Sequence, residues 1–273
     1  MLTIITAIYN QLDMNRLYYE SIVETTDGDW ELIVIDNGST DGSREFFEGL
    51  GGRVRVIAND GNYSYPYCQN AGIEAAKGEI LAFLNNDIFL SPHWDTRLRQ
   101  LPGKDGYEVW SLASNDRMGD ARATRRVSRR WKRIKYPLMF LMGQRKGALR
   151  LMTRLTYGNW GRYCERIWRQ YGTGTRIGFS GSAVVMTRRA IEIFGGWDPS
   201  QQAADFDMFM RTVERHEQVG DMQPMSIVSG IMHHHFRRLT LRCDYPPFKD
   251  GANLRTLESK WGAERLSRCK AML

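Results

Sequence analysis

Four short strand-like runs, the first apolar and β-branched and the fourth fully apolar, recur in the first 84 residues, and helical or turn segments separate them. They are Thr3–Tyr9 (TIITAIY), Trp30–Ile35 (WELIVI), Arg53–Ala58 (RVRVIA) and Ile80–Leu84 (ILAFL). Continuous apolar runs of this length suit strands buried on both faces, and helices between them imply crossover connections in a mainly parallel sheet. Helical patterns fall at Met14–Thr25, from Arg44 onward, and at Cys68–Lys77, where Gly78 stands where a left-handed C-terminal residue is wanted. Ligands on such sheets bind at the carboxyl ends of the strands. At those ends the sequence places Tyr9-Asn10, Asp36-Asn37 and Asn85-Asn86-Asp87.

The pattern changes at Arg117. From there to Arg169 there are 16 Lys and Arg against two acids, Asp120 and Glu165, a local charge of +14. The remainder holds 22 basic and 29 acidic residues, so a basic, aromatic, helix-compatible insert of residues 117–171 interrupts an acidic body. Basic clusters seek phosphate in nucleic acid, anionic lipid or pyrophosphate. With Trp131, Ile134 and Leu138–Leu141 among its arginines, the insert suits an anionic membrane surface, a charged acceptor, or plain packing on the body. A nucleic-acid role explains this basic insert but not the carboxylates of the acidic body, and none is expected.

Beyond the insert, Ile177–Met186 reads as a strand and Arg188–Phe194 as a helix. A Gly195-Gly196 turn leads to a helix starting near Asp205, with a late strand at Ser226–His235 and a terminal helix over Asn253–Met272. The chain reads as one domain: a nucleotide-binding half (1–116), the insert (117–171), an acceptor and catalytic half (172–240) and a helical tail (241–273). Cys68, Cys164, Cys243 and Cys269 are scattered without a Cys-x-x-Cys pair, which fits free thiols in a reducing cytoplasm. No basic segment precedes the first strand, so no signal peptide is expected. The longest apolar run, Pro137–Met142, falls far short of the roughly 20 residues of a spanning helix.

Three carboxylates carry the chemistry. Asp87, at a strand end beside two amides, suits Mg2+ or Mn2+ bridging a diphosphate; a polar turn accounts for the same residues. Asp36 can accept from the ring N–H of uracil or thymine, or from a ribose hydroxyl, while Ser39 and Asp41 cap the following helix. Asp205 is a candidate general base toward an acceptor hydroxyl, and both it and Asp207 also favour a helix N-terminus. In His233-His234-His235 the outer two share one strand face, and either can join Asp87 at a metal.

Taken in order, ITAIYN, ELIVIDNGSTDGS, NAGIEAAKGEILAFLNND, SGSAVVMTRRAIEIFGGWDP, DFDMFMR and HHHFRRLT resemble the family 2 glycosyltransferases of the GT-A fold, particularly the rhamnosyltransferase-like branch. Lys260-Trp261-Gly262 also looks like that family's C-terminal helix. The resemblance implies a Rossmann-like α/β fold and an inverting transfer from a nucleoside-diphosphate sugar to a glycan or lipid-linked glycan precursor of a surface polysaccharide. It implies donor contacts at Thr6, Ala7, Tyr9, Asp36, Ser39, Asn70 and Asn86, and a divalent metal at Asp87. It assigns the base to Asp205 and the late metal-side histidine to His235, because Thr240 lies five residues on, with His233 in reserve. Gly181, Trp197, Asp198 and Asp207 fall on the acceptor side. Asn85 replaces the first metal-site aspartate, Ala204 replaces the acid before the base, and the Gly61–Asn70 loop is longer and rich in tyrosine. Those departures keep a non-catalytic nucleotide-sugar-binding homologue as the alternative.

Overall fold

The computed structural model describes residues 1–101, 106–118, 120–237, 239 and 245–273. Thr240 and Cys243 lie outside them.

The first half follows the expected alternation. Strand β1 (Leu2–Ile8) is followed by helix α1 (Leu12–Thr25), β2 (Trp30–Asp36), α2 (Ser43–Glu48), β3 (Val54–Ala58), α3 (Tyr65–Ala75) and β4 (Ile80–Leu84). β1 pairs in parallel with β2 over its whole length, from Leu2 opposite Trp30 to Ile8 opposite Asp36, and β4 lies on the other side of β1. Alternate residues of these strands feed two cores: Ile4, Ile8, Leu32 and Val34 on one face, Ile5, Ile33, Ile35 and Phe83 on the other. Both faces are buried, which is why the runs are continuously apolar.

After β4 come β5 (Ile88–Leu90), α4 (Trp94–Leu98) and β6 (Val109–Ser114). The basic insert forms three helices, α5 (Ala121–Met142), α6 (Lys146–Tyr157) and α7 (Trp160–Tyr171). The chain closes with β7 (Thr175–Ile177), β8 (Ala183–Thr187), α8 (Arg188–Phe194), α9 (Ala204–Gln218), β9 (Ser226–His235), α10 (Leu257–Trp261) and α11 (Ala263–Ala271). The described strands make one sheet in the order β3-β2-β1-β4-β8-β6-β9-β5, with β7 also on β9.

Four expectations are corrected. The sheet is mixed: β8 is antiparallel to β4 and β6, and β5 and β7 are antiparallel to β9, so only the β3-β2-β1-β4 half is all-parallel. A buried apolar strand reads the same in either direction, so its polarity is invisible in its residues. The predicted strand Ile177–Met186 is instead β7 and β8, separated by a loop at residues 178–182. The terminal helix breaks into α10 and α11 at Gly262, whose φ of 74° is left-handed. Finally, α3 starts at Tyr65 with Pro66 in its first turn and ends at Ala75, and Gly78 is not its left-handed cap. Gly78 instead allows a close chain crossing, since a Cβ there would sit 2.7 Å from the backbone nitrogen of Thr3.

The insert is packed onto the body. Trp131 of α5 with Leu149 and Met152 of α6 share a core with Met14 and Leu17 of α1 and with Phe236, while Cys164 and Ile167 of α7 pack with Ile227 and Met232 of β9. Lys146 and Arg150 pair with Glu20, and Arg150 also with Glu24, on α1.

Candidate active site

The parallel register sets the ends of β1 and β2 side by side, and a polar web joins them. The Asn10 amide donates to Ser39 Oγ (2.8 Å) and the Thr40 amide to Asn10 Oδ1 (2.7 Å). Asn10 and Gln11 make this turn with left-handed φ values of 56° and 72°. Asn15 donates to the Asn10 carbonyl and to Ser43 Oγ, and Asn86 donates to Asn15 (2.7 Å), so the end of β4 is tied to the same web. Asp36 is fully buried: Oδ1 accepts from the Ser39 amide (3.1 Å) and Oδ2 from Arg44 Nε (2.7 Å). Thr6 is buried, and Ala7 is half-buried on β1. Tyr9 is half-buried, with its ring 5.2 Å from that of Tyr245. The segment carrying Tyr245 runs along this edge, where the Asn62 side chain donates to the Pro246 carbonyl and Ser64 to Asp250.

A second group forms where β5 and β9 run antiparallel, with Ile88 opposite His235. The Phe236 amide donates to the Asp87 carbonyl (2.8 Å), and His235 Nε2 lies 3.4 Å from Asp87 Oδ1. On its other side, His235 Nδ1 lies 3.2 Å from Asp116 Oδ2. Burial alone pushes this imidazole down, but Asp87 and Asp116 outweigh it and push the pKa up to about 9. Asp116 in turn is held below the usual carboxylate range: burial raises it, and His235 with Arg237 more than offsets that. His233 is placed differently. It is fully buried, its Nε2 2.8 Å from Ser182 Oγ, and burial pulls it down to about 3. His234 faces the opposite side, bonded to Tyr157 and packed on Trp131.

Asp87 and His235 have the chemistry of a hard-cation site. Oxygen and nitrogen donors 3.4 Å apart can both reach one ion at ~2.1 Å, and Asp116 on Nδ1 would orient the imidazole as a carboxylate behind a ligating histidine does. Among the described residues no three His, Cys, Asp or Glu side chains gather into a complete metal site.

The third group is at the start of α9. Asp205 Oδ1 accepts from the Phe206 amide (2.8 Å), and its carboxylate rests on the β7–β8 loop. A Cβ added to Gly181 would stand 2.0 Å from Asp205 Oδ2, so only glycine permits this approach. Burial pushes the Asp205 pKa up, and the backbone amides and the Arg117 guanidinium only partly counter it. Asp205, Gly181, Asn85, His235 and Asp116 open onto one cavity of about 440 Å³, with Tyr65, Arg117 and Arg237 also in its wall.

Four predicted residues instead hold α9 against its neighbours. Asn70 clamps the Trp197 backbone, its Oδ1 accepting from the Trp197 amide (2.9 Å) and its Nδ2 donating to the Trp197 carbonyl (2.8 Å), and the Trp197 side chain is buried in the core. Asp198 and Asp207 both receive Lys260 Nζ, at 2.5 and 2.6 Å. Burial raises Asp198, but Lys260 and Ser200 bring it down to about 2. Asp207 is fully buried and also accepts from Trp261 Nε1 (2.8 Å). Sequence reasoning missed Asp116 and Arg117. The signal was available, because Asn115-Asp116 directly follows β6 as Asn86-Asp87 follows β4.

A mixed sheet with carboxylates at strand ends and a half-buried aspartate at a helix start defines an α/β enzyme-type cleft of the GT-A kind. Residues 3–162 match the model of glycosyl transferase family 2, and the chain belongs to that family. Among curated relatives, glycosyltransferase AglE of Haloferax volcanii is 30 % identical over 96 residues (33 % of this chain, 31 % of AglE). Glycosyltransferase GlyG of Streptococcus pneumoniae is 28 % identical over 109 residues (38 % of this chain, 36 % of GlyG). Matched segments span 12 to 36 % of the length of curated relatives of this kind. In fold, the chain resembles the mannosyltransferase PcManGT from Pyrobaculum calidifontis, solved with GDP-Man and Mn2+ (TM-score 0.54, 14 % identity, 99 % of this chain and 74 % of that one).

Proposed function

We propose that the chain is a metal-dependent, inverting glycosyltransferase that moves a sugar from a nucleoside diphosphate to a hydroxyl of a glycan or lipid-linked glycan precursor in surface-polysaccharide synthesis. It works at the cytoplasmic face of the membrane, which the basic insert contacts peripherally. The observation that carries the reading is the shared cavity: His235, 3.4 Å from Asp87, and Asp205 open onto one space from two different elements, with Asn85 of the Asn85-Asn86-Asp87 turn in the same wall. Family membership and the GDP-Man and Mn2+ bound to PcManGT support a nucleotide-sugar donor and a divalent ion. The family resemblance supports a uracil or thymine base at Asp36, whose oxygens in this structure accept from the Ser39 amide and Arg44. Placement in the rhamnosyltransferase-like branch rests on the ordered motifs above.

Asp87 and His235 would hold Mg2+ or Mn2+, which when bound offsets charge on the departing diphosphate. Asp116 accepts from His235 Nδ1 and so presents Nε2 toward Asp87. Asp205 takes the proton of the acceptor hydroxyl as its oxygen bonds to the anomeric carbon. The bond from that carbon to the phosphate oxygen breaks on the opposite side, and the configuration inverts. A raised pKa makes Asp205 a stronger base than a solvated carboxylate, as the role requires.

Calorimetric titration with UDP, dTDP, GDP and CMP, with and without Mn2+, tests the donor site on wild type and Asp87→Ala. Metal-dependent binding of one nucleoside diphosphate, lost in the variant, is expected. Binding of none by the wild type would overturn the donor site, whereas donor binding without any transfer would favour the non-catalytic nucleotide-sugar-binding alternative. Asp205→Asn should keep donor binding and lose transfer by a factor on the order of 10² or more; transfer near the wild-type rate would remove Asp205 from the mechanism.

A further inference from the structure

From Ala121 to Tyr157, across α5 and α6, the chain carries 12 Lys and Arg and no acidic residue. Lys146 and Arg150 are neutralised by Glu20 and Glu24 of α1, and Lys135 turns inward to the Arg237 carbonyl. The rest of α5's charge faces out. Arg122, Arg125, Arg126, Arg129, Arg130 and Arg133 line one surface groove, and among the described residues none of them forms an ion pair.

The helix has two distinct long faces. Trp131, Ile134, Leu138 and Met139 pack inward against α1, α6 and Phe236. The outward stripe runs Arg122, Arg126, Arg129, Arg133 and then Tyr136 and Phe140, spaced three or four residues apart on one side of a helix ~33 Å long. Its last turn carries no charge and is open to solvent: Tyr136 is 54 % exposed, Phe140 90 %, Leu141 73 % and Met142 44 %. Packing explains the inner face, but nothing in the fold accounts for a bare aromatic and aliphatic tip at the end of an unpaired arginine stripe.

We propose that the outer face of α5 is a bilayer-docking surface, with Arg122–Arg133 on anionic lipid headgroups and Tyr136, Phe140, Leu141 and Met142 entering the headgroup–acyl boundary. Charge complementarity selects an anionic surface, and the apolar tip selects a bilayer over a purely polar polyanion. No helix among the described residues is long and apolar enough to cross a membrane, so the contact lies in the interfacial plane. Docking there is coupled to the cleft by short links. Asp116 and Arg117 of the cavity wall lie just before α5, Ser128 donates to the Asn115 carbonyl, and Lys135 holds the backbone of Arg237. The surface deepens the peripheral part of the proposed function; vesicle binding and donor binding are separate measurements, so either can fail alone.

The test is cosedimentation of the full chain with phosphatidylcholine vesicles, with and without phosphatidylglycerol, at low and high salt. The expected result is binding to the anionic vesicles only, weakened by salt. Each arginine removed should weaken it about fivefold. Arg125→Glu, Arg126→Glu, Arg129→Glu and Arg133→Glu together should therefore abolish it, while nucleotide binding stays at the wild-type level. Phe140→Ser with Leu141→Ser should remove the part of binding that survives high salt. Equal or absent binding on the two vesicle types would overturn the proposal, as would undiminished binding of the folded four-arginine variant. Preferential capture of duplex DNA with no vesicle binding would assign the stripe to nucleic acid and overturn it as well.

Discussion

Adding a single methyl group at Gly181 tests the placement of the base more sharply than removing the base. A Cβ at Gly181 would lie 2.0 Å from Asp205 Oδ2 and 2.9 Å from Cγ, where real Cβ contacts essentially never fall below 3.0 Å. The carboxylate must then retreat by about 1 Å, a displacement that can cost about 10²-fold in rate, or ~2.7 kcal/mol of barrier. Gly181 is not among the left-handed glycines, so alanine adds no backbone strain. The folding penalty is that of one displaced rotamer, about 1 kcal/mol. Gly181→Ala should therefore lose transfer by about two orders of magnitude while binding the donor nucleotide as wild type does. The assay is release of nucleoside diphosphate in the presence of acceptor, with calorimetry for the donor and a thermal melt for the fold. Combined with Asp205→Asn, the alanine should cost little more, because both act on one group. A Gly181→Ala enzyme turning over at the wild-type rate would refute the reasoning.

Three further outcomes follow from the same geometry. Asp116→Asn should weaken Mn2+-dependent nucleotide binding about 10–100-fold through loss of the carboxylate behind His235; titration with and without Mn2+ measures it, and unchanged metal dependence would count against that role. Asp205 has a raised folded pKa, so the folded state holds its proton more tightly than the unfolded chain, and this group's contribution to stability is lost as pH rises through that pKa. Asp205→Asn should accordingly melt higher than wild type at neutral pH, with the gap closing in acid, and the wild-type rate should fall as pH drops through the same raised value; a variant melting lower at neutral pH would contradict this. Lys260→Ala should destabilise the fold by about 2 kcal/mol, since it strips a charged partner from buried Asp207, leaving Arg211 and Trp261; denaturant unfolding reads it, and no change would show the C-terminal tether to be dispensable.

The sequence by itself determined what local chemistry can express. Strand-like runs bounded by turn residues located β1, β2, β3, β4 and β9 to within a residue or so; in β1, β2 and β4 the signal is mostly apolar sequence, because those strands are buried on both faces. Polar residues at strand ends flagged Asp36 and Asp87, and the turn before α9 flagged Asp205. Tertiary structure decided which of these meet. Strand direction is not written in a buried run, so the antiparallel β8 and the 178–182 loop that brings Gly181 under Asp205 could not be read in advance. The antiparallel pairing of β5 with β9 chose His235 over His233 as the neighbour of Asp87, although both lie on the same strand face in the sequence. Asp116 was hidden because its partner is 119 positions away, and Asn70, Trp197, Asp198 and Asp207 turned from cleft candidates into the bracing of α9. Periodicity and turn chemistry act over a few residues, whereas a site is made by the long-range register of chains that only the assembled sheet brings into contact.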